Sequence, residues 1–155
     1  MLADVDVSNN GDAGIQGISS ALDISGGTVE ANARLGVETF VDPIGGGTSQ
    51  LSISGTRVCG NRGSGVGPQD TTVVLTDATL CTNTADGLHQ TGGTLQMLRT
   101  SAEDNQGRGL SVNAAGQATL QDSMVSDNGD NGAQIPSECS TIGPESCHKL
   151  AVGLT

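Results

Sequence analysis

The sequence predicts an all-β fold, a parallel β-helix (solenoid) of about six to seven coils, with three short strands per coil and an asparagine ladder at one bend. Three observations predict it. A segment of the form apolar-x-x-Asn-x-x-x-Gly-apolar recurs six times, with its asparagine at Asn10, Asn32, Asn61, Asn83, Asn105 and Asn128. The separations are 22, 29, 22, 22 and 23 residues, and Gly14, Gly36, Gly65, Gly87, Gly109 and Gly132 keep them. The chain holds one Phe and no Trp or Tyr, so its core must come from Val, Ile, Leu and Ala, which suit a narrow coil interior. Finally, 24 glycines in 155 residues, without a strict period of three, mark frequent turns rather than collagen or disorder.

Each coil reads as three strands. Ten and eight residues before the asparagine stand Leu22 and Ile24, Leu51 and Ile53, Val73 and Leu75, Leu95 and Met97, Ala118 and Leu120. Two-residue alternation marks a strand with one buried face. Three residues before the asparagine come Val7, Val29, Val58, Leu80, Ala102 and Val125, the inward positions of a second strand. After the glycine come Ile15, Val37, Val66, Leu88, Leu110 and Ala133, which open a third. A repeat of 22 residues is too short for crossover helices, so one-faced strands in parallel register bury that face only by coiling and stacking. At the bend, asparagine is expected to adopt left-handed φ and to hydrogen-bond the coils above and below. The glycine four residues later is expected to supply a second positive-φ bend.

This repeat resembles those of the right-handed parallel β-helix proteins of the pectate-lyase-like superfamily, over nearly the whole chain. The resemblance implies a right-handed coil; because the superfamily spans polysaccharide lyases, glycoside hydrolases, epimerases, tailspikes, autotransporter passengers and non-catalytic surface repeats, it implies no single activity. The turns Gly26-Gly27-Thr28, Gly46-Gly47-Thr48 and Gly92-Gly93-Thr94 and the apolar-x-x-Asn element are also similar to the GGA and FxxN repeats of polymorphic outer-membrane adhesins, with Val, Leu or Ala in place of the Phe.

The coils divide the chain into 1–135, with an inserted loop at about 38–50, and 136–155, a cysteine-containing loop and a final strand at Leu150, Val152 and Leu154. The insertion accounts for the 29-residue interval and contains Phe40 and Gly45-Gly46-Gly47. Cys59 and Cys81 share a column two residues before the asparagines of adjacent coils. Stacked strands lie about 4.8 Å apart, within reach of a disulfide. The expected pairs are Cys59–Cys81 and, across a Pro-flanked loop, Cys139–Cys147, the alternative for the first being two buried thiols. Both ends stop in mid-coil, so the open coils are expected to stack on a second copy or on the rest of a longer chain.

Seventeen Asp and Glu against six Lys and Arg give a formal charge of −11, which argues against nucleic acid and anionic membrane surfaces as partners. No apolar run is long enough to span a membrane. Four cysteines without CxxC spacing and only two histidines favour disulfides over zinc, hence an extracellular or cell-surface location. Met1 leads directly into Leu-Ala-Asp-Val, so a secretory signal is expected to have been removed or to lie outside this chain.

Candidate chemistry is sparse. Pectate-lyase-type sites need Ca²⁺ carboxylates beside a basic residue, and inverting hydrolases of this fold need clustered Asp. The nearest approach is the column of Asp77, Arg99 and Asp122, six residues before successive asparagines, read as a surface charge ladder with a catalytic alternative. Asp86 and Arg108 form a similar pair three residues after theirs. The segment Asp127-Asn128-Gly129-Asp130-Asn131-Gly132 has the composition of a Ca²⁺ loop but lacks a bidentate Glu, so no cofactor is expected, with Ca²⁺ at this segment as the alternative. His89 and His148 have no partner inferable from register and read as solvated surface groups. A glycan partner would find only Phe40 as an aromatic platform. The mixed outward residues of the first strand, among them Asp23, Ser52, Val74, Gln96 and Thr119, argue against ice binding. The expected function is a non-catalytic extracellular module, either adhesin-like or a self-assembling structural subunit; the alternative is a polysaccharide-active enzyme using the loop from Phe40 to Gly47 and the Asp77, Arg99 and Asp122 column.

Overall fold

Short one-faced strands leave the chain a single way to bury its apolar side chains, and the computed structural model, which describes residues 1–113 and 117–135, takes it. Three six-stranded parallel sheets stack into a β-solenoid of six coils. The first sheet holds Leu2–Ala3, Ala21–Ser25, Ser49–Ser54, Thr71–Thr76, Thr94–Leu98 and Gln117–Gln121. The second holds Asp6–Ser8, Thr28–Glu30, Arg57–Cys59, Thr79–Cys81, Ser101–Glu103 and Met124–Ser126. The third holds Ile15–Ile18, Val37–Phe40, Val66–Pro68, Leu88–Thr91, Leu110–Asn113 and Ala133–Gln134.

The register is that of the repeat. Leu51 pairs with Val73 and Val73 with Leu95; Val58 pairs with Leu80 and Leu80 with Ala102; Val66 pairs with Leu88 and Leu88 with Leu110. These columns are the core: Val29, Ile53, Val58, Leu75, Leu80, Leu88, Met97 and Leu110 are wholly excluded from solvent. Each such apolar side chain contributes about 1.5–3 kcal/mol on burial, which these coils, with Phe40 their one aromatic residue, accumulate by repetition.

Asparagine forms the ladder, but with a different division of labour from the one expected. The left-handed residue is the one before it: Asn9, Ala31, Gly60, Thr82, Asp104 and Asp127 have φ between +52° and +65°. That single residue turns the chain and frees the asparagine to point inward. Asn61 donates from its backbone N–H and from Nδ2 to Asn83 Oδ1, at 3.1 and 3.0 Å, and Asn83 treats Asn105 in the same way, at 3.1 and 2.9 Å. The Nδ2 group of Asn83 also donates back to Val58 O of the preceding coil at 3.2 Å.

The repeat glycines do not use positive φ, contrary to expectation. Their reason is space. A Cβ on Gly36 would sit 2.6 Å from Gly65 O and 2.8 Å from Asn61 Nδ2; one on Gly87 would sit 2.6 Å from Gly109 O. Glycine is needed there because the next coil's backbone and ladder amide pass against the corner.

A second left-handed column lies between the first and second sheets, six residues before each asparagine: Asp4, Gly26, Gly55, Asp77, Arg99 and Asp122, with φ between +48° and +67°. Ser19, Asp70 and Gly92 turn the third corner. Aspartate tolerates this conformation better than most residues, because its short polar side chain bonds locally. Six of the chain's aspartates, Asp4, Asp70, Asp77, Asp104, Asp122 and Asp127, stand at left-handed corners, so much of the acidity is corner chemistry.

The insertion occupies 41–48, because Phe40 still pairs in register with Ile18 and the next strand begins at Ser49. Asp42 bridges Gly46, the Asp42 N–H donates to Ser19 Oγ at 2.8 Å, and Ser19 Oγ donates to Gly46 O at 3.0 Å. This tight turn leaves Ile44 almost wholly exposed. The Cys59–Cys81 disulfide is formed between register partners, with a Cα–Cα distance of 4.5 Å. Cys139, Cys147, His148 and the Leu150–Leu154 strand expectation lie outside the described residues.

Candidate functional site

The corner between the first and second sheets places one residue per coil at intervals of about 4.8 Å, which is how Asp77, Arg99 and Asp122 come into line. Arg99 grips Asp77 in a bidentate pair, Nε to Oδ1 at 2.7 Å and Nη2 to Oδ2 at 2.8 Å. The hydrogen bonds from Arg99 hold the Asp77 carboxyl below its ordinary range, and the same pair raises the Arg99 guanidinium, with a further Coulombic contribution from Asp122. Both partners are about half exposed. The guanidinium is thus occupied by its neighbour, and the pair fastens one coil to the next.

The insertion belongs to the opposite end of the first-sheet strands, between Phe40 and Ser49, so the structure does not bring it together with this column. A strand of five or six residues, about 17–20 Å, separates them. The two halves of the site suggested for an enzyme therefore stand at different corners.

The other charges pair both between coils and within one. Arg34 Nη1 contacts Asp12 Oδ1 at 2.7 Å and Nη2 contacts Glu38 Oε1 at 3.2 Å, while Arg57 reaches Glu30 at 3.3 Å. The Asp86 and Arg108 side chains, expected to pair, do not: the Arg108 backbone N–H donates to Asp86 Oδ1 at 2.8 Å, and its Nε faces Asp130 Oδ2 at 3.7 Å. Asp86 spends its other oxygen on His89.

His89, expected to lack a carboxylate partner, has its Nδ1 2.9 Å from Asp86 Oδ2. The carboxylate accepts, so Nδ1 is the donor in this contact, and Nε2 lies 3.5 Å from Asn113 Nδ2. Ser111, the register partner of His89, is fully buried with its Oγ unbonded. The signal that could have found this cluster is the three-residue spacing from Asp86 to His89 across the repeat glycine. Register within strands did not reveal it, because the contact crosses a corner.

In the Asp127–Gly132 segment, Asp127 is a left-handed corner, Asn128 is a ladder rung, and Asp130 Oδ1 accepts the Asn131 N–H at 2.8 Å. Among the described residues no three His, Cys, Asp or Glu side chains gather in metal-binding fashion.

The outward face of the first sheet is of another kind. From Gln50 to Gln121 its outward residues are Ser, Thr, Gln, Val and Leu, none of them charged, although the molecule carries a charge of −11. Thr72, Val74, Thr94, Gln96, Gln117 and Thr119 line a shallow depression of about 290 Å³ on it. The outward residues of this face range from half-buried to exposed and are held at fixed spacing by the sheet beneath.

No helix among the described residues is long and apolar enough to cross a membrane. Comparison with protein-family models, with characterised proteins and with solved structures finds no match to this chain.

Proposed function

We propose that the chain is a non-catalytic extracellular β-helix module, a rigid surface or spacer element that works through its faces and by coil-on-coil stacking, with a second copy or with further coils of a longer chain. The observation that carries this reading is the uniformity of the coils: Asp77–Arg99, Asp12–Arg34, Glu30–Arg57 and the asparagine rungs all join one coil to the next. Polar chemistry is spread along the rod instead of converging on one point. The uncharged first-sheet face gives such a rod a surface on which contact with a neutral partner, a glycan included, desolvates no charged side chain. The Cys59–Cys81 bond supports an oxidising location. The three-sheet coil with its asparagine ladder supports kinship with the pectate-lyase-like superfamily, and the surface role aligns it with that group's non-catalytic members rather than its enzymes.

The test is light scattering over a concentration series with negative-stain imaging, run beside a cleavage panel of acidic and neutral polysaccharides. Rods that lengthen by whole subunits, with no cleavage, are the expected result. A stable monomer would refute self-stacking. Cleavage by the native chain that a folded Arg99→Ala variant loses would replace this reading with a polysaccharide-active enzyme built on the Arg99 column.

A further inference from the structure

The sequence contains three Asn-Gly pairs, at Asn10, Asn128 and Asn131, and the fold places them in three different situations. Asn-Gly is the dipeptide in which the following backbone nitrogen most freely reaches the side-chain carboxamide, because glycine brings no Cβ into the way. The reaction needs a free carboxamide and a free N–H.

Asn128 offers neither. Its Oδ1 accepts from Asn105 N and Nδ2 at 3.0 and 2.9 Å, its Nδ2 donates to Ala102 O and Ser126 O at 3.0 and 2.8 Å, and the Gly129 N–H donates to Asn105 O at 2.7 Å. Asn10 is exposed, but its Nδ2 is held by Asn32 Oδ1 at 2.9 Å, which turns the carboxamide into the ladder. Asn131 is exposed, and among the described residues its carboxamide makes no hydrogen bond and the Gly132 N–H has no partner.

We propose that Asn131 is a modification site, converted to a carboxylate by attack of its own neighbour. The Gly132 backbone nitrogen bonds to Asn131 Cγ, the Cγ–Nδ2 bond breaks, and the nitrogen's proton leaves with ammonia. Water then opens the resulting succinimide to aspartate or isoaspartate; no oxidant or reductant takes part.

The aspartate product would stand in a column that already holds charge. Asn131 stands three residues after its ladder asparagine, in the column of Asp86 and Arg108. Among the described residues the Arg108 Nε is buried without a hydrogen bond, with the Asp130 carboxylate 3.7 Å away. A carboxylate at position 131 turns this column into acid, base, acid, the order that Asp77, Arg99 and Asp122 display at the other corner. The isoaspartate product instead lengthens the backbone beside Gly132, whose carbonyl accepts the Leu110 N–H at 3.0 Å, and so loosens the last described coil.

The experiment is peptide mapping by mass spectrometry of the intact native protein aged in mildly alkaline buffer, with a urea-unfolded sample alongside. Conversion at Asn131 is expected first, with Asn10 and then Asn128 lagging severalfold, since the bonded sites react only from locally opened conformations. In urea the three sites converge. Gly132→Ala is expected to slow conversion at Asn131 severalfold; a Cβ there meets the described residues no closer than 3.6 Å, so the variant fits. First conversion at Asn10 or Asn128, an unchanged rate in Gly132→Ala, or no conversion at Asn131 in native protein while urea exposes it would each overturn the proposal.

Discussion

Asn61 and Asn83 meet through one oxygen: the backbone N–H and the Nδ2 group of Asn61 both donate to Asn83 Oδ1, and both residues are fully buried. Each rung therefore serves backbone and side chain together, and the ladder has a direction, with donors in one coil and the acceptor in the next. Asn83→Asp keeps the acceptor and the backbone N–H but removes the Nδ2 donor to Val58 O and Asn105 Oδ1 and buries a charge. The expected loss is about 3 kcal/mol or more, because unmade buried bonds cost their full desolvation. Asn10→Asp, at the exposed end of the ladder, is expected to cost under about 1 kcal/mol. Urea denaturation of the two variants measures the contrast, and equal losses would show that the ladder is not a source of stability.

The Cys59–Cys81 bond closes a loop of 22 residues between coils that already share a sheet. The loop-closure entropy removed from the unfolded chain is worth about 3 kcal/mol. The double variant Cys59→Ala/Cys81→Ala is expected to lose that much by urea denaturation, with circular dichroism of the folded state unchanged, because both cysteines lie in a register that the backbone bonds fix independently. A changed spectrum would mean that the disulfide positions the coils rather than fastening them.

The coils were legible because their signals are periodic. Six copies of Asn and Gly in register, with aliphatic residues at two-residue spacing, set the three strands, the core columns and the Cys59–Cys81 pairing without any contact having to be guessed. What stayed hidden lies at corners, where a repeat says which residue recurs but not why. Asparagine tolerates left-handed φ and is the recurring residue, yet the turn falls on its predecessor, whose identity varies from Asn9 and Ala31 to Gly60, Thr82 and Asp104. The Asp86–His89 contact was missed for the same reason, since it crosses a corner that strand alternation does not describe.

The repeat glycines make a prediction that separates space from backbone freedom. At Gly87 a Cβ would meet Gly109 O at 2.6 Å and Asn105 Nδ2 at 2.9 Å, both held by the ladder. Gly87→Ala is expected to cost about 2–3 kcal/mol, the usual penalty for overpacking a fixed site. Gly11→Ala meets nothing within 4 Å and has no positive φ, so it is expected to change stability by no more than about 0.5 kcal/mol. Thermal denaturation distinguishes them; equal tolerance would mean that the coils can slide apart at this corner.

Asp77 and Asp12 contribute to the acid response of the rod. The hydrogen bonds from Arg99 and Arg34 lower their carboxyl pKa values below the ordinary 3.8. A carboxyl that is lowered in the folded state binds its proton more weakly there than in the unfolded chain, so its contribution is full above the unfolded value and is lost as pH falls through the folded one. Their stabilisation is therefore intact at neutral pH and disappears below pH 3.8. Both pairs are solvent-exposed, so salt screens them as well. Asp77→Asn is expected to lower the melting temperature slightly at neutral pH and low ionic strength, to lose that effect in high salt, and to match the parent protein at strongly acidic pH. A deficit that persists in high salt would mean that Asp77 acts through its left-handed backbone position rather than through its charge on Arg99.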